Sequence, residues 1–260
     1  AYNVAVGDSA GLLVTTGVRN NLFGGNAGDA LTEGNNNIAI GFQALTADTL
    51  GSRNIAIGSD ALEVQNLTTA TDAYNIAIGY KAGGAVTTGV QNVIIGGRAG
   101  DAITDADFNV AVGDQALGDN TVGSQSVAIG YIALTSQNPA TATTMYNTAV
   151  GSQAAASVTT GVQNTILGGL AGDAITTGSY NVAIGANGGG GVTTGSQNIL
   201  IGQGTGMAAL TGDQNTVVGD SAGNALTSGG DNTVIGASAG AALTSSNNNV
   251  AIGFQALSSD

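Results

Sequence analysis

Polar and apolar positions recur along the chain in one short unit: Asn, usually an apolar residue or Thr, a small or apolar residue, an aliphatic residue or Phe, then Gly. Copies start at Asn3, Asn20, Asn37, Asn54, Asn75, Asn92, Asn109, Ser126, Asn147, Asn164, Asn181, Asn198, Asn215, Asn232 and Asn249. Successive copies lie 17 residues apart, except for steps of 21 from Asn54 to Asn75 and from Ser126 to Asn147. Three short steps and one long step make a higher period of four copies. It returns Thr15-Thr16-Gly17-Val18 at Thr87-Thr88-Gly89-Val90 and at Thr159-Thr160-Gly161-Val162, and Tyr2 at Tyr74 and Tyr146. A fixed period of this size marks a solenoid, in which each repeat buries its apolar face against its neighbour.

Stacking the copies turns sequence into columns. Gly ends the unit in all fifteen copies, which predicts a corner with positive φ or a close backbone approach. Ala follows three residues later in thirteen copies, where a small side chain lets the coil turn tightly. An aliphatic column follows, with Val14, Leu31, Val86, Ile103 and Ile175 among its members, and then Thr and a second turn glycine such as Gly17 or Gly178. Each coil therefore reads as strand, Gly corner, short second strand and Thr-Gly turn. Helical repeats are the rival reading, but Gly costs about 1 kcal/mol against Ala inside a helix, and the apolar spacing is not helical. The expected fold is all-β: a parallel β-solenoid, or β-roll, of about fifteen coils, one strand spacing per coil, on the order of 70 Å long. Residues 1–260 read as one repetitive domain with no internal boundary and no recognisable caps. The uncapped coils would allow end-to-end growth into a filament.

The three-residue strand is apolar on both faces. In Ile76-Ala77-Ile78 the two isoleucines share one face and Ala77 takes the other. A lone solenoid needs only its inward face to be apolar. The face of Ala77 holds Ala in nine copies and larger aliphatics in others, among them Leu22, Ile94 and Ile166, which return with the higher period. These three are the expected residues of lateral association between several chains. The repeat's structural columns are represented by Asn37 and Gly41, Asn75 and Gly79, Asn109 and Gly113, and Asn181 and Gly185. Asn suits left-handed turns and hydrogen-bonded ladders along a parallel sheet.

Composition narrows the function classes. The 260 residues carry 44 Gly and one Pro, and only 4% are aromatic, so a thin aliphatic core fits better than a thick globular one. Seventeen acids against four basic residues give a formal charge of −13, which repels phosphate backbones, and no nucleic-acid partner is expected. The chain has neither Cys nor His, which removes disulfides, thiolate nucleophiles and the usual catalytic triad. No apolar run approaches the roughly 18 residues of a membrane helix, and membrane insertion is not expected.

At this point the unit resembles the head repeat of YadA-like trimeric autotransporter adhesins, in the segments Asn37-Ile38-Ala39-Ile40-Gly41, Asn75-Ile76-Ala77-Ile78-Gly79 and Ser126-Val127-Ala128-Ile129-Gly130. It is also similar to β-roll repeats of some phage tail fibres. The resemblance implies a left-handed β-roll, a homotrimer, an extracellular place on a bacterial surface or a virion tail, and attachment to a host receptor or glycan. The family repeat is usually somewhat shorter than the one here, and Asn sits one place closer to Gly in most copies of this chain.

Several motifs invite chemistry. Gly7-Asp8-Ser9-Ala10-Gly11, Gly219-Asp220-Ser221-Ala222-Gly223 and Gly236-Ala237-Ser238-Ala239-Gly240 match a nucleophile elbow, but they fall on repeat columns and no His accompanies them. No enzyme is expected. Asp29, Asp101 and Asp173 follow glycines at intervals of one higher period and are Ca²⁺ candidates, against the simpler reading of solvated turn acids; no other cofactor is expected. The expected function is a structural and adhesive fibre segment. The alternative is an ice-binding or other ligand-binding solenoid that uses its Thr row, which includes Thr15, Thr32, Thr87, Thr104, Thr159 and Thr176.

Overall fold

The computed structural model describes residues 2–258; Ala1, Ser259 and Asp260, the outermost residues of the expected 1–260 domain, lie outside them. The chain is an all-β parallel solenoid of about fifteen turns. It divides into two compact units, through both of which the sequence repeat runs. One holds the residues up to Ser126 together with Asn138–Thr143, and the other holds Val127–Gln137 and the residues from Thr144 onward.

In the N-terminal unit, strands of three residues run from Val4–Val6 to Val110–Val112, each in parallel register with the next. Ile38 pairs Ile55 across one short step of the repeat, and Ile55 pairs Ile76 across a long one. In the C-terminal unit the same ladder runs from Val127–Ile129 to Val250–Ile252, with Val182 opposite Ile199 and Ala183 opposite Leu200. Like residues therefore stack on like, one sheet spacing apart. The additional residues of the first long step leave the main ladder intact, and Thr71–Asp72 within that step pairs in parallel with Gly51–Ser52 of the preceding coil.

The Gly corner is enforced by crowding as well as by dihedral. Gly79 has φ +134°, and a Cβ there would run into the carbonyl oxygen of Gly96; at Gly185, φ +124°, a Cβ would lie 2.6 Å from the Gly202 oxygen. Successive corners stack too closely for any side chain.

The core of each unit is one side chain thick. Its columns are the middle residue of each strand, the Ala after the Gly corner, and the aliphatic position that includes Leu31, Val86, Ile103 and Ile175, all fully buried. Leu22, Ile94 and Ile166 belong to the first of these columns, which corrects their expected lateral role. Their side chains point into their own coils and are 0%, 0% and 1% exposed. The physical reason is volume. A Cβ on Gly28 would meet the Leu22 side chain at 2.8 Å, and one on Gly172 would meet Ile166 at 3.1 Å. Several coils with a small middle residue reverse the arrangement: Ala39 goes with Leu45, Ala56 with Leu62 and Ala111 with Leu117, all fully buried, whereas Ala77 and Ala183 are followed by Gly83 and Gly189. A large side chain at one position fills the space that glycine leaves at the other, as dense interiors require.

Candidate functional site

Each strand's outward face is set by the same alternation of side chains. With the middle residue inside, its two neighbours point out. In the N-terminal unit Phe23, Ile40, Ile57 and Ile78 are partly to substantially exposed, and Ile129, Leu167, Ile184 and Ile201 are so in the C-terminal unit. The fourth position of the repeat is aliphatic or Phe in every coil. Each unit therefore carries a sheet face with a continuous apolar ridge. Exposed apolar surface that is contiguous, rather than scattered, marks an interaction site. Sequence reasoning placed the second contact face on the sheet but chose the wrong side of the strand, since Ile76 and Ile78 face out and Ala77 faces in.

The Asn column is structural and highly regular. The Asn37 N–H donates to Asn20 Oδ1 at 2.9 Å, Asn37 Oδ1 accepts the Asn54 N–H at 2.9 Å, and Asn37 Nδ2 donates to the Gly51 carbonyl at 2.9 Å. Asn75 donates from Nδ2 to the Gly89 carbonyl at 2.7 Å, Asn109 to Gly123 at 3.0 Å and Asn181 to Gly195 at 2.9 Å. Each side chain ties its own strand to the turn of its own coil and to the backbone of the next. These amides are buried with their hydrogen bonds made, which leaves them engaged in the coil rather than turned to a ligand. Gly41 and Gly113 share the corner conformation of Gly79 and Gly185, at φ 135° and 136°.

The Thr row is likewise engaged. Thr15 Oγ1 donates to the Thr32 carbonyl at 3.0 Å, Thr104 to Thr121 at 3.2 Å and Thr176 to Thr193 at 3.2 Å. These hydroxyl protons point along the stack of turns.

The three candidate Ca²⁺ aspartates are separate in the structure. Asp29 and Asp101 stand four coils apart in the N-terminal unit, and Asp173 lies in the other. Asp29 Oδ1 accepts the hydroxyl of Thr46. Burial raises the Asp101 carboxyl above its usual range, against the pull of Arg98 and Lys81, and burial also raises Asp173. Among the described residues no three carboxylates are grouped to share an ion.

One buried carboxylate was not anticipated. Asp48 lies in the coil just before the first long step and is fully buried. Its Oδ2 accepts from Gln65 Nε2 at 2.7 Å and Asn54 Nδ2 at 3.4 Å, and its Oδ1 from the N–H groups of Gly51 at 3.0 Å and Leu67 at 3.3 Å. Gln65 Oε1 in turn accepts from Asn75 Nδ2 at 2.8 Å. Desolvation pushes the Asp48 carboxyl up, and these donors oppose the rise. Asn120 stands in the same place one higher period on.

Among the described residues no helix is long and apolar enough to cross a membrane. The chain matches no protein-family model and no curated protein.

Proposed function

We propose that the chain is a non-catalytic, homo-oligomeric segment of an extracellular fibre, serving reach and attachment on a bacterial surface or a virion tail. The observation that carries this reading is the aliphatic ridge on the outward face of the sheet, repeated in every coil. Water-exposed rows such as Ile38 with Ile40 and Ile55 with Ile57 are stabilised when covered, at roughly 25 cal/mol per Å² of apolar area removed from water. A second copy of the same repeat supplies a ridge of equal pitch. A closed ring of three copies buries all ridges at one axis, as a closed face-to-face pair also does. The resemblance to YadA-like head repeats supports three copies. Added coils lengthen such an assembly without changing its interface, which suits a part whose work is mechanical.

The ice-binding alternative has less support, because the Thr hydroxyl protons that would organise a water layer are donated to carbonyl groups of the next turn.

Light scattering of the purified chain tests the proposal. The expected particle mass is three times 25.0 kDa. The paired change Ile57→Lys and Ile78→Lys, on outward positions where it leaves the core untouched, is expected to release single chains. A monomer at micromolar concentration for the unaltered chain would overturn the oligomer and, with it, the fibre.

A further inference from the structure

The residue before each repeat Asn has positive φ in every coil, from Tyr2 at 73° to Asn248 at 61°. Asn and Asp enter that region cheaply, and Asn36, Asp231 and Asn248 hold the position in three coils. A bulky ring enters it at a cost. Yet Tyr74, Phe108, Tyr146 and Tyr180 stand there with φ of 52°, 60°, 52° and 61°. They are 48%, 47%, 57% and 52% exposed, so they do not fill the core. The coil closes equally well over Asn, and the rings answer to something outside it.

Their spacing is regular. In the N-terminal unit Tyr74 precedes the strand Ile76–Ile78 and Phe108 precedes Val110–Val112. One strand, Val93–Ile95, lies between, and exposed Gln91 holds the intermediate place. In the C-terminal unit Tyr146 and Tyr180 flank exposed Gln163 in the same way, across the strands Thr148–Val150, Thr165–Leu167 and Val182–Ile184. Two strand spacings separate the rings of each pair by about 10 Å.

We propose that each ring-amide-ring row binds an extended, uncharged, β-1,4-linked polysaccharide. Such a chain turns over at every linkage and so shows the same face at every second sugar, a repeat close to two strand spacings, or about 10 Å. The C–H groups of a pyranose face carry partial positive charge and pack against the negative face of an aromatic ring. The amide between the rings both donates and accepts, which matches the hydroxyl edge of the intervening sugar. The ligand is uncharged because a chain of net charge −13 repels acidic glycans. Self-association is served by the aliphatic ridge present in every coil, not by rings in alternate coils. Arg53 already lies 5.6 Å from the centre of the Tyr74 ring and takes up one face of it, whereas Gln125 occupies the corresponding place before Tyr146. The Tyr146–Tyr180 row is therefore the stronger of the two.

The test is affinity electrophoresis of the full chain in native gels containing hydroxyethyl cellulose, with calorimetric titration of cellohexaose. The unaltered chain is expected to be retarded. The pair Tyr146→Asn and Tyr180→Asn is expected to weaken binding by about tenfold, and Tyr74→Asn with Phe108→Asn by less. Asn already holds this column at Asn36 and Asn248, so an unchanged thermal melt is expected and serves as the folding control. Exchanging Tyr180→Gln with Gln197→Tyr keeps the number of rings but sets them three coils apart, and is expected to weaken binding as much as losing a ring. Unretarded migration of the unaltered chain, full binding by the displaced-ring variant, or Asn variants that lower particle mass and leave glycan binding intact would each overturn the proposal. Both rows lie within single units, so a monomer that binds the glycan sinks the fibre reading and leaves this one standing.

Discussion

Two loops of the N-terminal unit, Asp48 to Gly51 and Asn120 to Gly123, stand four coils apart, and each lies in the coil just before a long step of the repeat. Both are closed by a buried side chain that accepts the N–H of the residue three places on: Asp48 Oδ1 from Gly51 at 3.0 Å, and Asn120 Oδ1 from Gly123 at 3.1 Å. Their second atoms differ. Asn120 Nδ2 donates to the Gly123 carbonyl at 2.8 Å, so one amide satisfies both backbone groups. Asp48 Oδ2 cannot donate, and turns to Gln65 and Asn54 for protons. The surrounding sequence follows this chemistry. Pro139, which has no N–H, stands where Leu67 donates to Asp48, and Ser126 stands where Asn54 does. A buried loop can thus be closed by a neutral amide or by a carboxylate with four donors, and only the second is sensitive to pH.

The largest effect is expected when the carboxylate is placed without two of its four donors, since Gln137 repeats Gln65 while Pro139 and Ser126 replace Leu67 and Asn54. Asn120→Asp replaces a donor with an oxygen facing the Gly123 carbonyl, where neither a Leu67-like N–H nor an Asn54-like amide is available. At neutral pH the loss is expected to be about 3 kcal/mol, the order of an uncompensated buried polar group or charge. Near pH 4 the protonated acid can again donate to Gly123, and much of the loss should be recovered. Chemical denaturation at both pH values checks this; an equal loss at both would show that shape, not charge, closes the loop.

A smaller, two-part effect is expected at the first insertion. Leu67→Pro alone removes one donor from a carboxylate and should cost about 2 kcal/mol at neutral pH. Asp48→Asn alone should be close to neutral there, since it removes a desolvated charge. Combined, the two changes copy the second insertion, and their costs should be less than additive in a double-mutant cycle. The sign of the pH dependence follows from the raised carboxyl of Asp48. Because the folded state favours the protonated acid, this group's contribution is fully present below the ordinary aspartate range. It is lost as pH climbs through the raised folded value. The unaltered chain should therefore lose stability over that window and Asp48→Asn should lose less. Parallel pH profiles for the two would remove Asp48 as the source.

The same two insertions show what could be read from sequence. The columns were legible because parallel stacking with one coil per period demands that like residues return at fixed steps, and the columns of Asn37 and Gly41 do so. The direction of the strand was not legible from hydrophobicity, because Ile76, Ala77 and Ile78 are all apolar and three residues carry no polar side to orient them. Volume carried the missing information. Leu22 is followed six residues later by Gly28, and Ala39 by Leu45, a compensation that only residues sharing one interior need. The burial of Asp48 was hidden for a different reason, since a single acid among seventeen looks like any turn carboxylate until its four donors converge on it from Gly51, Asn54, Gln65 and Leu67.

The smallest effect concerns the surface of the same pair of insertions. Arg53 Nε lies 2.9 Å from Asp72 Oδ2, with both side chains about half exposed, while the second insertion has Gln125 and Thr144 at these places. The Arg53 guanidinium is held charged by its hydrogen bond to Asp72 and by the charge of that carboxylate. An exposed pair of this kind gains little over its hydration and is screened by salt. Arg53→Gln should therefore leave the thermal midpoint indistinguishable from that of the unaltered chain, at low and at high ionic strength alike. The outcome also bears on the buried site, because the strand Gly51–Ser52 runs directly from the Asp48 loop to Arg53 and pairs with the strand that ends at Asp72. If loosening the ion pair at the rim lowered the midpoint by several degrees, the two insertions would differ in how their edges are clamped, and the carboxylate beneath would be a passenger of that clamp. If it does not, the contrast between Asp48 and Asn120 rests on the buried atoms alone.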